Sequence, residues 1–195
     1  KNKRKYMLRI TKLGEDVLRQ VAVPVEPEEI NDEFRVLINE MFETMIAANG
    51  VGLAAPQVDI SKRFFVIIAD DDVRRVFVNP QIISTSGDLV DYEEGCLSLP
   101  KIYENIKRPS QVTVQALNEN GKPFTIEADG LLARIIQHEN DHLNGIVFID
   151  KGDPEFAKQA EQTMAKRAAR YLEKQKAKEA KARKIEAKLL ARGKK

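Results

Sequence analysis

The sequence predicts an α+β fold, with antiparallel or mixed sheets and a helix at the C-terminal end. Three observations carry this. Runs rich in Val, Ile and Phe are grouped between two long amphipathic segments, whereas βαβ units would make helices and strands alternate. Turn signals suited to antiparallel hairpins join those runs. The chain has 195 residues, and its composition changes abruptly after Phe156, which leaves one body of about 150 residues, enough for a single core.

The first helix carries Phe34, Ile38, Met41, Phe42, Met45 and Ile46 on one face, with Gly50 placed to end it. The segment GVGLAAPQ follows, from Gly50 to Gln57. Its two glycines and two alanines leave the backbone uncovered, so another chain can approach and pair with its N–H and C=O groups; Gln57 adds a side-chain amide. Arg63 to Ile68 and Arg74 to Val78 read as strands joined by the acidic turn Asp70-Asp71-Asp72. Gln111 to Leu117 alternates apolar and polar residues, then meets Asn118-Glu119-Asn120-Gly121, a hairpin turn leading into Phe124 to Glu127.

The second helix spans Asp129 to Gly145, with Leu131, Leu132, Ile135, Ile136 and Leu143 at helical spacing, Asp129 placed to cap it and Gly145 to end it. It holds both histidines of the chain, His138 and His142, in the pattern H-E-x-x-H. Side chains four apart on a helix stand about 5 to 6 Å apart at Cβ, which suits two imidazoles closing on one divalent metal. Glu139 then lies beside that metal, placed to take a proton from water there. A catalytic centre of this kind takes three protein ligands. Two residues compete for the third place. Glu161 lies downstream in a basic segment, and Cys96 lies upstream in Glu93-Glu94-Gly95-Cys96-Leu97-Ser98-Leu99-Pro100. Cys96 is the only cysteine and has no intramolecular disulfide partner. On its own, such a cysteine reads as a small buried hydrophobe.

GVGLAAPQ (Gly50 to Gln57), EGCLS (Glu94 to Ser98) and QHENDH (Gln137 to His142) resemble the three signature motifs of peptide deformylases, in that family's order. Val78-Asn79-Pro80 fits as well, and the similarity runs from about residue 8 to about residue 150. The resemblance implies sheets packed around a central H-E-x-x-H helix. It implies one divalent metal held by Cys96, His138 and His142, with Fe2+ the usual native ion. The same three ligands would also accept Zn2+, Ni2+ or Co2+. It further implies Glu139 as general base and acid, with the Leu97 backbone N–H and the Gln57 side chain stabilising the oxyanion. The substrate it implies is an N-formylmethionyl peptide, cleaved to formate and a free amine.

For substrate contact, the backbone at Val51 and Gly52 can pair with the peptide as an added strand. Leu131 and Ile135, on or near the histidine face, can floor a slot for the methionine side chain, although ordinary core explains them equally well. Arg134, one turn before His138, either pairs with an acidic neighbour such as Glu94 or hangs at the pocket mouth. Gln137 and Asp141 are candidates to orient the histidines, although a solvated helix face explains either at least as well.

The tail is chemically different from the body. Residues 158 to 195 hold 14 Lys or Arg against 4 Asp or Glu, a net of +10, while residues 1 to 157 carry a net of −8. The division is therefore a catalytic domain, 1 to 157, and a basic helical extension, 158 to 195. Met164, Ala168, Tyr171 and Leu172 form a short apolar stripe able to dock on the body. A basic helix poor in aromatic residues suits phosphate contacts with little sequence readout, and ribosomal RNA is the partner this predicts; a solvated tail is the plainer alternative. No secretory apolar region or bilayer-spanning run is present, so no membrane partner is expected. A single cysteine fits a reducing compartment, and the expected location is the cytoplasm.

Overall fold

The computed structural model describes residues 7–193. In chain order the elements are α1 (Asp32–Ala47), β1 (Gly52–Ala54), β2 (Phe64–Ile68), β3 (Arg74–Thr85), β4 (Leu89–Cys96), β5 (Leu99–Pro109), β6 (Gln111–Leu117), β7 (Pro123–Asp129), α2 (Gly130–Leu143) and α3 (Pro154–Arg192). Strands β1-β2-β3-β6-β7 form one sheet and β4-β5 a separate hairpin, with every pairing antiparallel. The α+β expectation holds.

Alternation along β2 explains why one sheet serves two helices. Phe64 and Val66 point to α1, where they pack with Phe34, Ile38, Met41 and Met45. Phe65 and Ile67 point to the other face and meet Ile136 and Leu143 of α2. A strand covered on both faces reads as a continuous apolar run, here FFVII, because neither side is left for water. Phe65 stacks on Phe77 with ring centroids 5.0 Å apart, and Phe34 meets Phe64 edge-on at 4.9 Å. A third cluster joins β5 to the start of α3: Leu99, Ile102 and Ile106 pack with Phe148, Ala160 and Met164, and Cys96 lies partly buried against it.

Several local expectations shift. Helix α1 begins on the Asn31 side chain, which accepts from Phe34 N–H at 3.0 Å. It ends not at Gly50 but at Asn49, which takes φ +58, since a short polar side chain tolerates the left-handed region. Gly50 serves another purpose: a Cβ there would stand 2.7 Å from Leu97 Cδ1. Ile46 faces solvent, off the packed stripe. Asp129 occupies the N-cap position of α2, yet its side chain makes no cap bond. Strand β3 runs seven residues past the expected end, through a bulged stretch at Asn79 and Pro80 that the Asn79 side chain ties to Val25. The β4–β5 hairpin was absent from the expected strands, because glycine and charged residues obscure its alternation.

Helix α3 begins at Pro154 on the Asp153 cap, so the boundary proposed between 157 and 158 falls inside its first turn. Docking stops early. Ala160 and Met164 are buried, whereas Tyr171 and Leu172 are exposed and the apolar stripe beyond Met164 lies open. Among the described residues, no helix is long and apolar enough to cross a membrane.

Candidate active site and metal centre

Helix α2 sets His138 and His142 on one face, with ring centroids 5.2 Å apart. The β4–β5 hairpin brings Cys96 to them. The thiol and one nitrogen of each imidazole all lie within 4.8 Å of one another, and Cys96 Sγ stands 3.4 Å from His142 Nε2. Thiolate and imidazole bonded to one tetrahedral ion at ordinary lengths would stand about 3.5 Å apart, so the donor set fits a divalent cation. Burial, helped by the neighbouring His138, pushes His142 well below the usual imidazole range, leaving it neutral and able to ligate. Glu161, the competing third ligand, is instead exposed and paired with Arg19 at 3.3 Å. Of the two competitors, Cys96 is the one the fold brings beside the histidines.

Behind the histidines lies a buried charge cluster. Glu94 receives four charge-assisted bonds, two on each oxygen: Oε1 takes His138 Nδ1–H at 2.8 Å and Arg108 Nη2 at 3.0 Å, while Oε2 takes Arg108 Nε and Arg134 Nη1, both at 2.6 Å. Burial alone would raise its pKa, but the bonds from His138 and Arg108 and the Arg108 charge outweigh it and hold the carboxyl at about 2. An ionised Glu94 fixes the proton of His138 on Nδ1, which leaves Nε2 free to ligate. Asp141 pairs with Arg108 at 2.8 Å, and Gln137 donates to the Pro109 and Ala133 carbonyls. Neither orients a histidine, contrary to expectation; Glu94 does. Arg134 takes the first of the two suggested roles: it is buried, its guanidinium bonds Glu94, Ile106 O and Val90 O, and its carbon stands 5.6 Å over the ring of Tyr92, which lines the cavity with it.

Arg108 was missed by the sequence reading. Its one signal is position: it follows Ile106 by two residues and so falls on the strand's inward face, where only a paired cation survives.

Glu139 is 3 % exposed, and its Oε2 has no hydrogen-bond partner among the described residues. Burial pushes its carboxyl up to about 7 against the lowering pull of His138. Gln57 approaches from the 3-10 turn after β1. Its Oε1 accepts from Ala54 N–H at 2.9 Å, which turns Nε2 toward Ser98 Oγ at 3.2 Å and Cys96 Sγ at 3.4 Å. These groups open onto a cavity of about 630 Å³, whose lining includes Val51, Gly52, Leu97, Leu131 and Ile135. Leu131 and Ile135 also pack against the core, so slot and core are the same residues seen from two sides.

Gly52 is required by space. A Cβ there would meet Glu139 Oε1 at 2.5 Å and Ile135 Cγ2 at 2.8 Å. Gly52→Ala is expected to lower kcat about 100-fold by displacing Glu139, with little loss of fold. Steady-state kinetics beside a thermal melt checks this, and activity within about threefold of wild type would show that Glu139 is not held by this contact.

Comparison with known proteins agrees with the geometry. A family model described as polypeptide deformylase matches residues 7–158. The chain is 50% identical over 146 residues to a peptide deformylase of Fusobacterium nucleatum, covering 75% of this chain and 84% of that one. It is 52% identical over 141 residues to a peptide deformylase of Treponema pallidum, covering 72% and 85%. Among solved structures it is similar to a peptide deformylase of Synechococcus elongatus in complex with actinonin, with a TM-score of 0.77, 44% identity, and coverage of 85% of this chain and 90% of that chain. With half the positions identical to such relatives, and a thiol and two imidazoles gathered beside a buried glutamate, the chain belongs to the peptide deformylases, metallohydrolases that remove N-terminal formyl groups from nascent peptides.

Proposed function

We propose that Cys96, His138 and His142 hold one divalent cation, Fe2+ in the native enzyme, and that Glu139 moves the protons of the reaction. The observation that carries this is the convergence of three ligand atoms within 4.8 Å beside an unpartnered, buried Glu139 carboxylate on a peptide-sized cavity. When bound, such a cation supplies Lewis acidity, lowering the pKa of water and polarising a carbonyl. Glu139 takes the proton of the attacking water and returns it to the amide nitrogen as the formyl C–N bond breaks. Formate and a free amine result. The Gln57 amide and the Leu97 backbone N–H meet the negative charge that develops on the formyl oxygen.

Val51 and Gly52 stand beside the open edge of β1, which pairs only with β2 in its sheet. A peptide laid there gains backbone hydrogen bonds whatever its sequence, so selectivity rests on the slot at Leu131 and Ile135. The test is formate release from formyl-Met-Ala-Ser by anaerobically prepared protein, beside a peptide cleavable only internally. Formate with the internal peptide intact supports the reading; internal cleavage would overturn it.

The basic part of α3 is proposed to contact ribosomal RNA, which would place the enzyme in the cytoplasm beside emerging formylated chains. Support comes from a tail of net +10 whose helix is exposed from Arg167 to its end apart from Gln175. Replacing Lys181, Arg183, Lys184 and Lys188 by Gln is expected to weaken ribosome binding more than about tenfold near 0.1 M salt and to flatten its salt dependence. Hydrolysis of free formyl-Met-Ala-Ser should not change. Binding unaffected by all four substitutions would rule this contact out.

A further inference from the structure

Two carbonyls of the turn between β4 and β5, and a third at the start of β5, are bound by residues that belong to neither strand. Lys12 Nζ donates to Leu97 O at 3.3 Å, Leu13 N–H to Ser98 O at 3.0 Å, and Arg167 Nη1 to Pro100 O at 2.6 Å. The donors come from opposite ends of the chain. Lys12 belongs to the segment whose Thr11 also bonds the Gln57 and Pro56 carbonyls, at 2.8 and 3.1 Å. Arg167 lies on α3, one turn beyond buried Met164, and passes 3.6 Å from its sulfur. The turn needs such support. Lys101, next to Pro100, takes φ +60, a region that a long side chain enters only when its surroundings hold it there. Leu97, Leu99, Pro100 and Lys101 all line the cavity.

We propose that Lys12 and Arg167 are positioning residues for the hydrolysis: they clamp the turn from two sides and so hold the Leu97 N–H in place. Lys12 holds the peptide plane between Leu97 and Ser98, and the plane that carries the Leu97 N–H is joined to it through the φ and ψ of Leu97 alone, so restraining the one narrows the range of the other. Two charged donors on backbone carbonyls make stronger bonds than neutral ones, which suits a turn that carries strain. This rests on the reading of Leu97 as an oxyanion donor. It also makes the fourth turn of α3 part of the active site, not merely the stalk of the basic tail.

The test measures kcat and KM on formyl-Met-Ala-Ser, metal content and melting temperature for full-length variants. Lys12→Met and Arg167→Ala are each expected to lower kcat about fivefold with KM nearly unchanged. Arg167→Lys should recover most of that loss, since one carbonyl needs only one donor. The double variant should lose less than the product of the single losses, because one loosened turn cannot be loosened twice. Arg170→Ala, exposed and without a bond among the described residues, is the unchanged control. Single variants within about twofold of wild type, or Arg167→Lys as damaged as Arg167→Ala, would overturn the clamp. Wild type and Glu139→Ala run alongside. Should the wild type release no formate, or Glu139→Ala release it, the reading of the site fails first and the clamp with it.

Discussion

Glu139→Ala is expected to release almost no formate, with kcat lowered about 10³-fold, while metal content and melting temperature stay near wild type. Three carboxylates line the cavity, Glu93, Glu94 and Glu139. Both oxygens of Glu94 are saturated by arginine and histidine donors, and Glu93 is exposed. Only Glu139 keeps a buried oxygen without a partner. The leaving group is an amine, which departs poorly unless a proton reaches its nitrogen, so removing the one shuttle should cost far more than removing an oxyanion donor. Stability should not suffer, because a buried carboxyl that lacks a full set of partners contributes little to folding. Metal analysis and a thermal melt beside the kinetics decide this. A variant that keeps more than about a tenth of wild-type kcat would show that another base serves the reaction.

Glu94→Gln is expected to do the reverse, damaging the fold and the metal site together. Glu94, Arg108 and Arg134 are 6 %, 4 % and 8 % exposed. Taking one charge from a buried cluster strands the others, at a typical cost of about 3 to 5 kcal/mol. Asp141 still faces Arg108, but Arg134 has no other carboxylate among its bonds. The loss should also reach the cation, since His138 would no longer have an anion to hold its Nδ1–H, and removing such a partner weakens metal binding about 10- to 100-fold. Urea unfolding and a chelator competition measure the two effects. A stability loss below about 1 kcal/mol would mean that the arginines find other partners when Glu94 is neutral.

The parts of this molecule that were legible in the sequence are those where chemistry is confined to one short segment. H-E-x-x-H on an amphipathic helix announces two candidate ligands and a candidate base, because helix geometry alone sets their separation. The β2–β3 and β6–β7 hairpins announce themselves through strong strand formers around a turn. Glu94 is different. It was visible as a candidate partner for Arg134, yet its role depends on Arg108 fourteen residues later on β5, and the hairpin that pairs them was hidden by Gly95 and by charged residues on both strands. Asp141 and Gln137 were candidates because they neighbour the histidines in sequence, but helical spacing turns them to other partners. Residues next to one another in a chain seldom share a face, whereas antiparallel pairing brings distant ones together. The end of docking along α3 was equally hidden, since Tyr171 and Leu172 look no less apolar than Met164.

The way the site is stitched together also has a consequence for how the protein is made. Lys12, Gln57, Cys96, His138, His142 and Arg167 meet around one turn and one helix end. Their separations along the chain approach the length of the catalytic body, so the loops that bring them together must close late and at high entropic cost. No fragment emerging during synthesis contains the whole set until the fourth turn of α3 has left the exit channel. Until His142 has emerged the nascent chain can build the β2–β3 hairpin and α1, whose contacts are local, but the thiol and the two imidazoles are not yet all present. The candidate ligands are thus complete once α2 has emerged, and a chain stalled between there and Arg167 would hold them beside a turn tethered from one side only.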